Sequence, residues 1–229
     1  MSVSVLYYKV APEKISSAQL SELIHCWRDE LPPTKQQKIN KLHQKNDQLL
    51  SLAGLQLLKK GIFELLKQPF SLQRLQFPDQ EKPFISGELE GNIDFNISHS
   101  GNVVCCVISD TLKVGIDIEL HRQISEATLK KFLDDYSDTL KDNKQKELTE
   151  FFNIWTKSEA IIKAANYGSI FNMKELKLEK GGGFYQNHYW HTSPINISTD
   201  EHDKEYTCHI ACSEKIVDND INIKQITNL

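Results

Sequence analysis

Val114-Gly115-Ile116-Asp117-Ile118-Glu119-Leu120 alternates strictly between apolar and acidic positions. With side chains alternating across a strand, Ile116, Ile118 and Leu120 take one face and Asp117 and Glu119 the other. The two carboxylates then have Cα atoms about 6.5 to 7 Å apart, close enough to converge on one cation. Gly115 precedes them on the same face and leaves room there for a ligand. Taken alone, Asp-x-Glu also describes an ordinary exposed strand face, so the pattern sets a local structure before it sets a chemistry.

Upstream of this strand, Ile93 to Ile97 and Val103 to Ser109 form a hairpin about Ser100-Gly101-Asn102. Further back, Ser4 to Val10 reads as a strand. Ser16 to Arg28 reads as a helix, with Leu20, Leu23, Ile24 and Trp27 on one stripe. A basic segment carrying Lys35, Lys38, Lys41 and Lys45 follows Pro32-Pro33 and leads into a long amphipathic helix from Asp47 to Lys67. Leu72 to Phe77 is extended and Pro78 to Pro83 is a turn region.

Downstream, helices are expected at Ser125 to Tyr136 and Glu147 to Asn166. Extended segments follow at Leu176 to Glu179, Phe184 to His191, Tyr206 to Ser213 and Ile221 to Ile226, with a hairpin turn at Gly181-Gly182-Gly183. Each side of Asp110 to Lys113 mixes helices with antiparallel-type strands. The expected fold class is therefore α+β in two halves, residues 1–111 and 112–229.

The chain has 229 residues and a net charge of −4, from 27 basic and 31 acidic side chains, which argues against a nucleic-acid binder relying on a basic face. The longest apolar run, Val103 to Ile108, is far short of the roughly 20 residues a membrane-spanning helix needs. Met1 to Val10 lacks the features of a secretory signal, so no membrane partner and a cytoplasmic location are expected. The five cysteines, Cys26, Cys105, Cys106, Cys208 and Cys212, make no disulfide framework and read as small apolar residues. Cys208, Ile210 and Cys212 alternate as one strand face, which disfavours a zinc site.

Two further clusters give the acidic strand a chemical context. Trp155, Glu159 and Lys163 recur every four residues and share a helix ridge, bringing a third carboxylate and an ammonium together. Asn96-Ile97-Ser98-His99-Ser100-Gly101 places two hydroxyls and an imidazole at a strand end beside a turn.

Lys82-Pro83, Phe95-Asn96-Ile97-Ser98-His99-Ser100, the strand Val114 to Glu119, and Trp155-Thr156-Lys157-Ser158-Glu159-Ala160-Ile161-Ile162-Lys163 occur in a telling order. In order and spacing they resemble the 4′-phosphopantetheinyl transferases of the surfactin-synthetase-activating type. The resemblance implies two similar α/β halves in a pseudo-twofold arrangement, with coenzyme A bound between them. It implies Mg²⁺-dependent transfer of phosphopantetheine, with Mn²⁺ as an alternative metal, to a serine of an apo acyl or peptidyl carrier protein, releasing adenosine 3′,5′-bisphosphate.

By the same resemblance Asp117 and Glu119 are metal ligands, and Glu159 is a metal ligand, the general base, or both. Lys163 binds the pyrophosphate and stabilises charge on the leaving phosphate. Ser98 lies near the phosphates, His99, Lys35 and Lys38 near the 3′-phosphate, and Lys82-Pro83 beside the adenine. Ser158 stands where the family has a lysine, and an ungapped extension puts Leu50 where an arginine is expected. A monomer is expected. Another metal-dependent phosphoryl transfer and a non-catalytic module of the same fold are the competing readings, and a requirement for apo carrier protein separates them.

Overall fold

The computed structural model describes residues 2–79, 81–87, 92–129, 144–165, 175–198, 205–217 and 220–229. The first strand, β1 (Val3–Lys9), is followed by α1 (Ser17–Asp29), α2 (Pro33–Asn40) and α3 (Lys45–Leu66). Ser16 starts α1 with a capping box, its hydroxyl accepting from the Gln19 amide while the Gln19 side chain accepts from the Ser16 amide. The segment read as extended from Leu72 is a short 3₁₀ turn, Leu72–Arg74, leading into β2 (Leu75–Gln76), which pairs with β3 (Phe84–Ile85). The Ser71 hydroxyl accepts from the Gln73 amide and favours the turn over a longer strand.

The hairpin forms as β4 (Asp94–Ser100) and β5 (Val103–Ser109), and the acidic strand as β6 (Val114–Leu120). Gly101 at the hairpin tip has φ +56°, where a Cβ would also meet the Tyr206 hydroxyl at 2.7 Å. The second long helix, α4, runs Lys144–Ala164. Of the helix expected at Ser125 to Tyr136, only the opening lies within the described residues.

Phe184 to His191, read as one segment, is two: β8 (Gly182–Tyr185) and β9 (His188–Pro194) pair as a hairpin, with β7 (Lys177–Glu179) on the other side of β8. The turn is Gln186-Asn187, with φ of 52° and 61°. Two successive left-handed residues match the twist of flanking strands, but Gln-Asn is a weak signal for that turn beside Asn-Gly or Asp-Gly. The chain ends with β10 (Tyr206–Cys212) and β11 (Ile221–Ile226).

The strands make two main sheets, β11-β1-β5-β4 and β6-β10-β9-β8-β7. Although β11 follows the second sheet in sequence, it pairs parallel to β1 in the first, Val5 opposite Ile223. The layering follows from β5, where every residue is buried. Its even positions, Val104, Cys106 and Ile108, belong to the core under α3, together with Leu52, Leu58 and Ile62. Its odd positions, Val103, Cys105 and Val107, join Val114, Ile116, Ile118, Cys208, Ile210 and Cys212 between the two sheets. The order is therefore helix, sheet, sheet, helix. A six-residue apolar run is what a strand with both faces covered requires.

Close approach is built in at glycines on both sides. A Cβ on Gly54 or Gly61 of α3 would come within 2.5 Å of Ile97 and 2.2 Å of Ile108, so α3 rests directly on the first sheet. The equivalent device on the second side is Gly115 of β6, whose added Cβ would lie 2.1 Å from the Ala160 carbonyl oxygen in α4. The space kept free by Gly115 is thus occupied by the helix backbone and is not ligand room, as its place in the sequence suggested.

The two sheets also meet edge to edge. Free strand edges expose unpaired amides and carbonyls, and here β4 covers the edge of β6 with side chains. Asp94 Oδ2 accepts from Val114 N–H at 2.7 Å, Asn96 Oδ1 from Ile116 N–H at 3.0 Å, and Ser100 Oγ from Leu120 N–H at 3.0 Å. No described helix is long and apolar enough to cross a membrane.

Candidate active site

The same seam carries most of the residues singled out from the sequence. β4 contributes Ser98 and His99, β6 contributes Asp117 and Glu119, and α4, held close by Gly115, lowers Glu159 and Lys163 onto them. Together with Ile97, Ile118 and Trp155 these residues line a cavity of about 320 Å³. Trp155 forms part of its wall and stacks on Phe151 with centroids 5.8 Å apart. A second cavity of about 310 Å³, lined by Gln56, Phe63 and Phe70, has no acidic side chain in its wall and offers no comparable chemistry.

Asp117 is 5% exposed. Its Oδ1 accepts from the Lys163 ammonium at 2.6 Å and from the Ser98 hydroxyl at 2.9 Å, whereas its buried Oδ2 has no hydrogen-bond partner among the described residues. Burial raises its pKa above the ordinary carboxylate value, against the opposing pull of Lys163. Glu159, 7% exposed, likewise has a buried, unpartnered oxygen, Oε1. Burial pushes its pKa up to about 7, with Lys163 working the other way and Asp117 and Glu119 adding to the rise. Glu119 is held by two donors on one oxygen: Ser100 Oγ at 2.9 Å and the Arg122 guanidinium at 2.7 Å.

Unpaired buried acceptor oxygens are costly unless something satisfies them. Two of them, from Asp117 and Glu159, flank a cavity that Glu119 also lines. The donor set is all carboxylate oxygen, which suits a hard cation such as Mg²⁺. Among the described residues no group of three or more His, Cys, Asp or Glu is already gathered at metal-holding distance, and the Lys163 ammonium is the cation that sits on Asp117.

The remaining sequence-singled residues fall into two groups. His99 is exposed at the cavity rim. Its pKa is lowered, first by desolvation and then by the Lys163 and Lys35 cations. Lys35 sits over the Phe77 ring, 5.0 Å from its centroid, and Lys38 bonds Asp79 Oδ1 at 3.3 Å and the Phe77 carbonyl at 3.4 Å. These two lysines, with Lys82 and Pro83, do not line the cavity itself.

Lys82 is buried, its ammonium between Asp94 Oδ2 at 2.5 Å and the Val114 carbonyl at 2.6 Å. It pins the start of β4 to the start of β6. Leu50, standing where an arginine is expected, is 4% exposed and packs in the core between α3 and the first sheet. Ser158 is fully buried with its hydroxyl bonded to the Ile154 carbonyl at 2.8 Å, a place with no room for a solvated lysine.

Sequence reasoning passed over Arg122 and the clamping role of Ser100. The signal available was the alternation of Asp94, Asn96, Ser98 and Ser100, four polar side chains on one edge of a strand.

The cleft between β4, β6 and α4 thus gathers three carboxylates, an ammonium and a histidine. Residues 16–111 match the family model described as "4′-phosphopantetheinyl transferase, N-terminal", and residues 113–211 match "4′-phosphopantetheinyl transferase superfamily". The chain is 28% identical over 197 residues to the 4′-phosphopantetheinyl transferase Sfp of Bacillus subtilis, covering 84% of this chain and 87% of that protein. It is 30% identical over 148 residues to the 4′-phosphopantetheinyl transferase gsp of Aneurinibacillus migulanus, 64% of this chain and 60% of that one. The mouse L-aminoadipate-semialdehyde dehydrogenase-phosphopantetheinyl transferase is 26% identical over 198 residues, 81% of this chain and 60% of its own length. The chain belongs to the 4′-phosphopantetheinyl transferase superfamily and is a transferase.

Proposed function

We propose that the cavity between β4, β6 and α4 transfers 4′-phosphopantetheine from coenzyme A to a serine hydroxyl of an apo acyl or peptidyl carrier protein. The observation that carries the reading is the pair of buried, unpartnered oxygens of Asp117 and Glu159 beside the Lys163 ammonium. Such a site neutralises a pyrophosphate and accepts a proton in one place.

The serine oxygen attacks the phosphorus that bears pantetheine, and the bond from that phosphorus to the bridging oxygen breaks. The leaving group is adenosine 3′,5′-bisphosphate. Glu159, with a pKa of about 7, takes the serine proton on its carboxylate, directly or through water. Lys163 offsets negative charge on the departing phosphate, and Ser98 holds Asp117 in place for it. Asp117, Glu119 and Glu159 would hold Mg²⁺ or Mn²⁺, which when bound neutralises pyrophosphate charge.

His99, Lys35 and Lys38 serve the 3′-phosphate. Lys82 contributes through its buried bond to Asp94, leaving Pro83 and the backbone to border the adenine. Residues 1–111 and 112–229 act as the two halves about the site, with β11 bracing the first. The protein works as a cytoplasmic monomer, with no nucleic-acid or membrane partner.

The experiment is intact-mass analysis of several apo carrier proteins incubated with coenzyme A, Mg²⁺ and this protein. A gain of one phosphopantetheine on a carrier supports the reading and reports its substrate range. No gain on any carrier, with coenzyme A consumed or intact, overturns it.

A further inference from the structure

The hydrogen bonds across the β4–β6 seam leave one donor over. On its other edge β6 bonds β10 through odd-numbered positions, as the flanking pairs show: His121 N–H donates to the Glu205 carbonyl and Ser213 N–H to the Lys113 carbonyl. In an antiparallel pair the donors alternate in direction, so the even-numbered amides of β6 point at β4. Three of these four are satisfied: Val114 by Asp94, Ile116 by Asn96 and Leu120 by Ser100. The fourth is Ile118. The β4 side chain level with it is Ser98, whose Oγ donates to Asp117 Oδ1 at 2.9 Å and receives Lys163 at 3.4 Å, with no bond from Ile118. Among the described residues the Ile118 amide has no acceptor, and Ile118 is a wall residue of the cavity.

A buried backbone N–H left without a partner is rare and costs free energy comparable to a lost hydrogen bond. Ile118 lines the cavity that also holds Lys163 and His99, where an anionic oxygen is the group complementary to a free amide. Strand-edge amides make good anion donors because their position is fixed by the sheet and needs no side-chain ordering.

We propose that the Ile118 backbone N–H is a binding donor for a pyrophosphate oxygen of the substrate, filling the one gap in the seam when the substrate is present. The Ser98 hydroxyl is engaged with both Asp117 and Lys163, and the amide stays free. A longer acceptor at position 98, such as Asn, would close the gap as Asn96 does two residues earlier. This inference rests on the transferase reading but adds a contact that no side chain supplies.

The test uses the full-length protein labelled with ¹⁵N-isoleucine and titrated with inorganic pyrophosphate and, separately, with coenzyme A. The Ile118 amide proton is expected to move downfield with either probe while Ile116, already bonded to Asn96, stays in place. Replacing Ile118 by its α-hydroxy acid analogue, which turns the amide into an ester, should weaken coenzyme A binding roughly tenfold to a hundredfold, the range for a hydrogen bond to a charged group. It should lower the melting temperature less than the same replacement at Ile116, which loses a bond made in the free protein. An unmoved Ile118 resonance, or an ester variant whose affinity stays within about twofold of the parent, overturns the proposal. Because pyrophosphate binding is read without turnover, a protein that fails to modify any carrier would refute the transferase reading and leave this result standing by itself.

Discussion

Replacing Lys82 by Met removes the ammonium of a side chain that is 4% exposed and bonded to both Asp94 Oδ2 and the Val114 carbonyl. Breaking a buried pair by deleting one partner costs about 3 to 5 kcal/mol, because the other charge is left uncompensated. Two features place this case at the lower end. The side chain of Asp94 is 13% exposed, and Lys113 stands 3.8 Å from its Oδ1 as a partial substitute. Asp94 also keeps the Val114 amide at 2.7 Å. We therefore expect a loss of about 3 kcal/mol, or a melting temperature lower by about 6 to 12 °C for a chain of this size.

Chemical denaturation gives the free energy, and steady-state kinetics with coenzyme A give the other half of the test. If Lys82 is a structural pin, KM for coenzyme A changes little at temperatures where the variant is folded. Adding Asp94→Asn should recover much of the loss, since the amide still accepts from Val114 without a buried charge. A Lys82→Met protein with parental stability and a raised KM would refute the reasoning and return the ammonium to the nucleotide.

Glu159→Gln should lower the single-turnover rate by about 10² to 10⁴ while coenzyme A affinity changes far less. With its pKa raised to about 7, Glu159 is active when deprotonated, so parental kcat/KM at sub-saturating metal should rise with pH through that region. The Gln variant should lose this rise. Mg²⁺ should stabilise the parent against heat, by about 2.7 kcal/mol at a hundredfold excess over Kd. Asp117→Asn should abolish most of that gain in differential scanning calorimetry, and an undiminished gain would remove Asp117 from the metal set. His209 is buried with Nδ1 2.8 Å from the Thr156 hydroxyl, which itself donates to the Phe152 carbonyl, and its pKa is lowered to about 4. The unfolded chain then binds the proton first as pH falls. Stability is whole above about 6.5 and declines toward pH 4, by about 3 kcal/mol in all, and His209→Gln should flatten urea-denaturation profiles over that window.

The long helices and the central hairpin were legible because their periodicities are local. Asp117 and Glu119 share a face by strand alternation alone, and Glu159 and Lys163 share a ridge by helix spacing alone. That the face and the ridge meet needed Gly115, which reads equally well as room for a ligand and turns out to admit a helix backbone. The directions of Lys82 and Leu50 were hidden for a related reason. A motif match carries a residue's place in the chain but not the direction of its side chain, and both side chains point into protein. The parallel pairing of β11 with β1 joins residues more than two hundred positions apart, and nothing in the local pattern of Ile221 to Ile226 selects that partner.

The location of the site follows from how the two sheets are joined. Had β4 and β6 paired through their backbones, the seam would have been a continuous sheet with no donors or acceptors to spare. Side chains do the joining instead, and polar residues are therefore required on β4 at every second position, Asp94, Asn96, Ser98 and Ser100. Three of them hold the strands together. Once that is done, the cost of turning the fourth, Ser98, toward Asp117 is a single unsatisfied amide. The return is an Asp117 carboxylate fixed under Lys163 with one oxygen left open. At position 98 the hydroxyl bonds Asp117 and takes no amide of β6, whereas Asn96 and Ser100 on either side each accept one. Seam and site are thus the same row of side chains, separated by what one of them bonds.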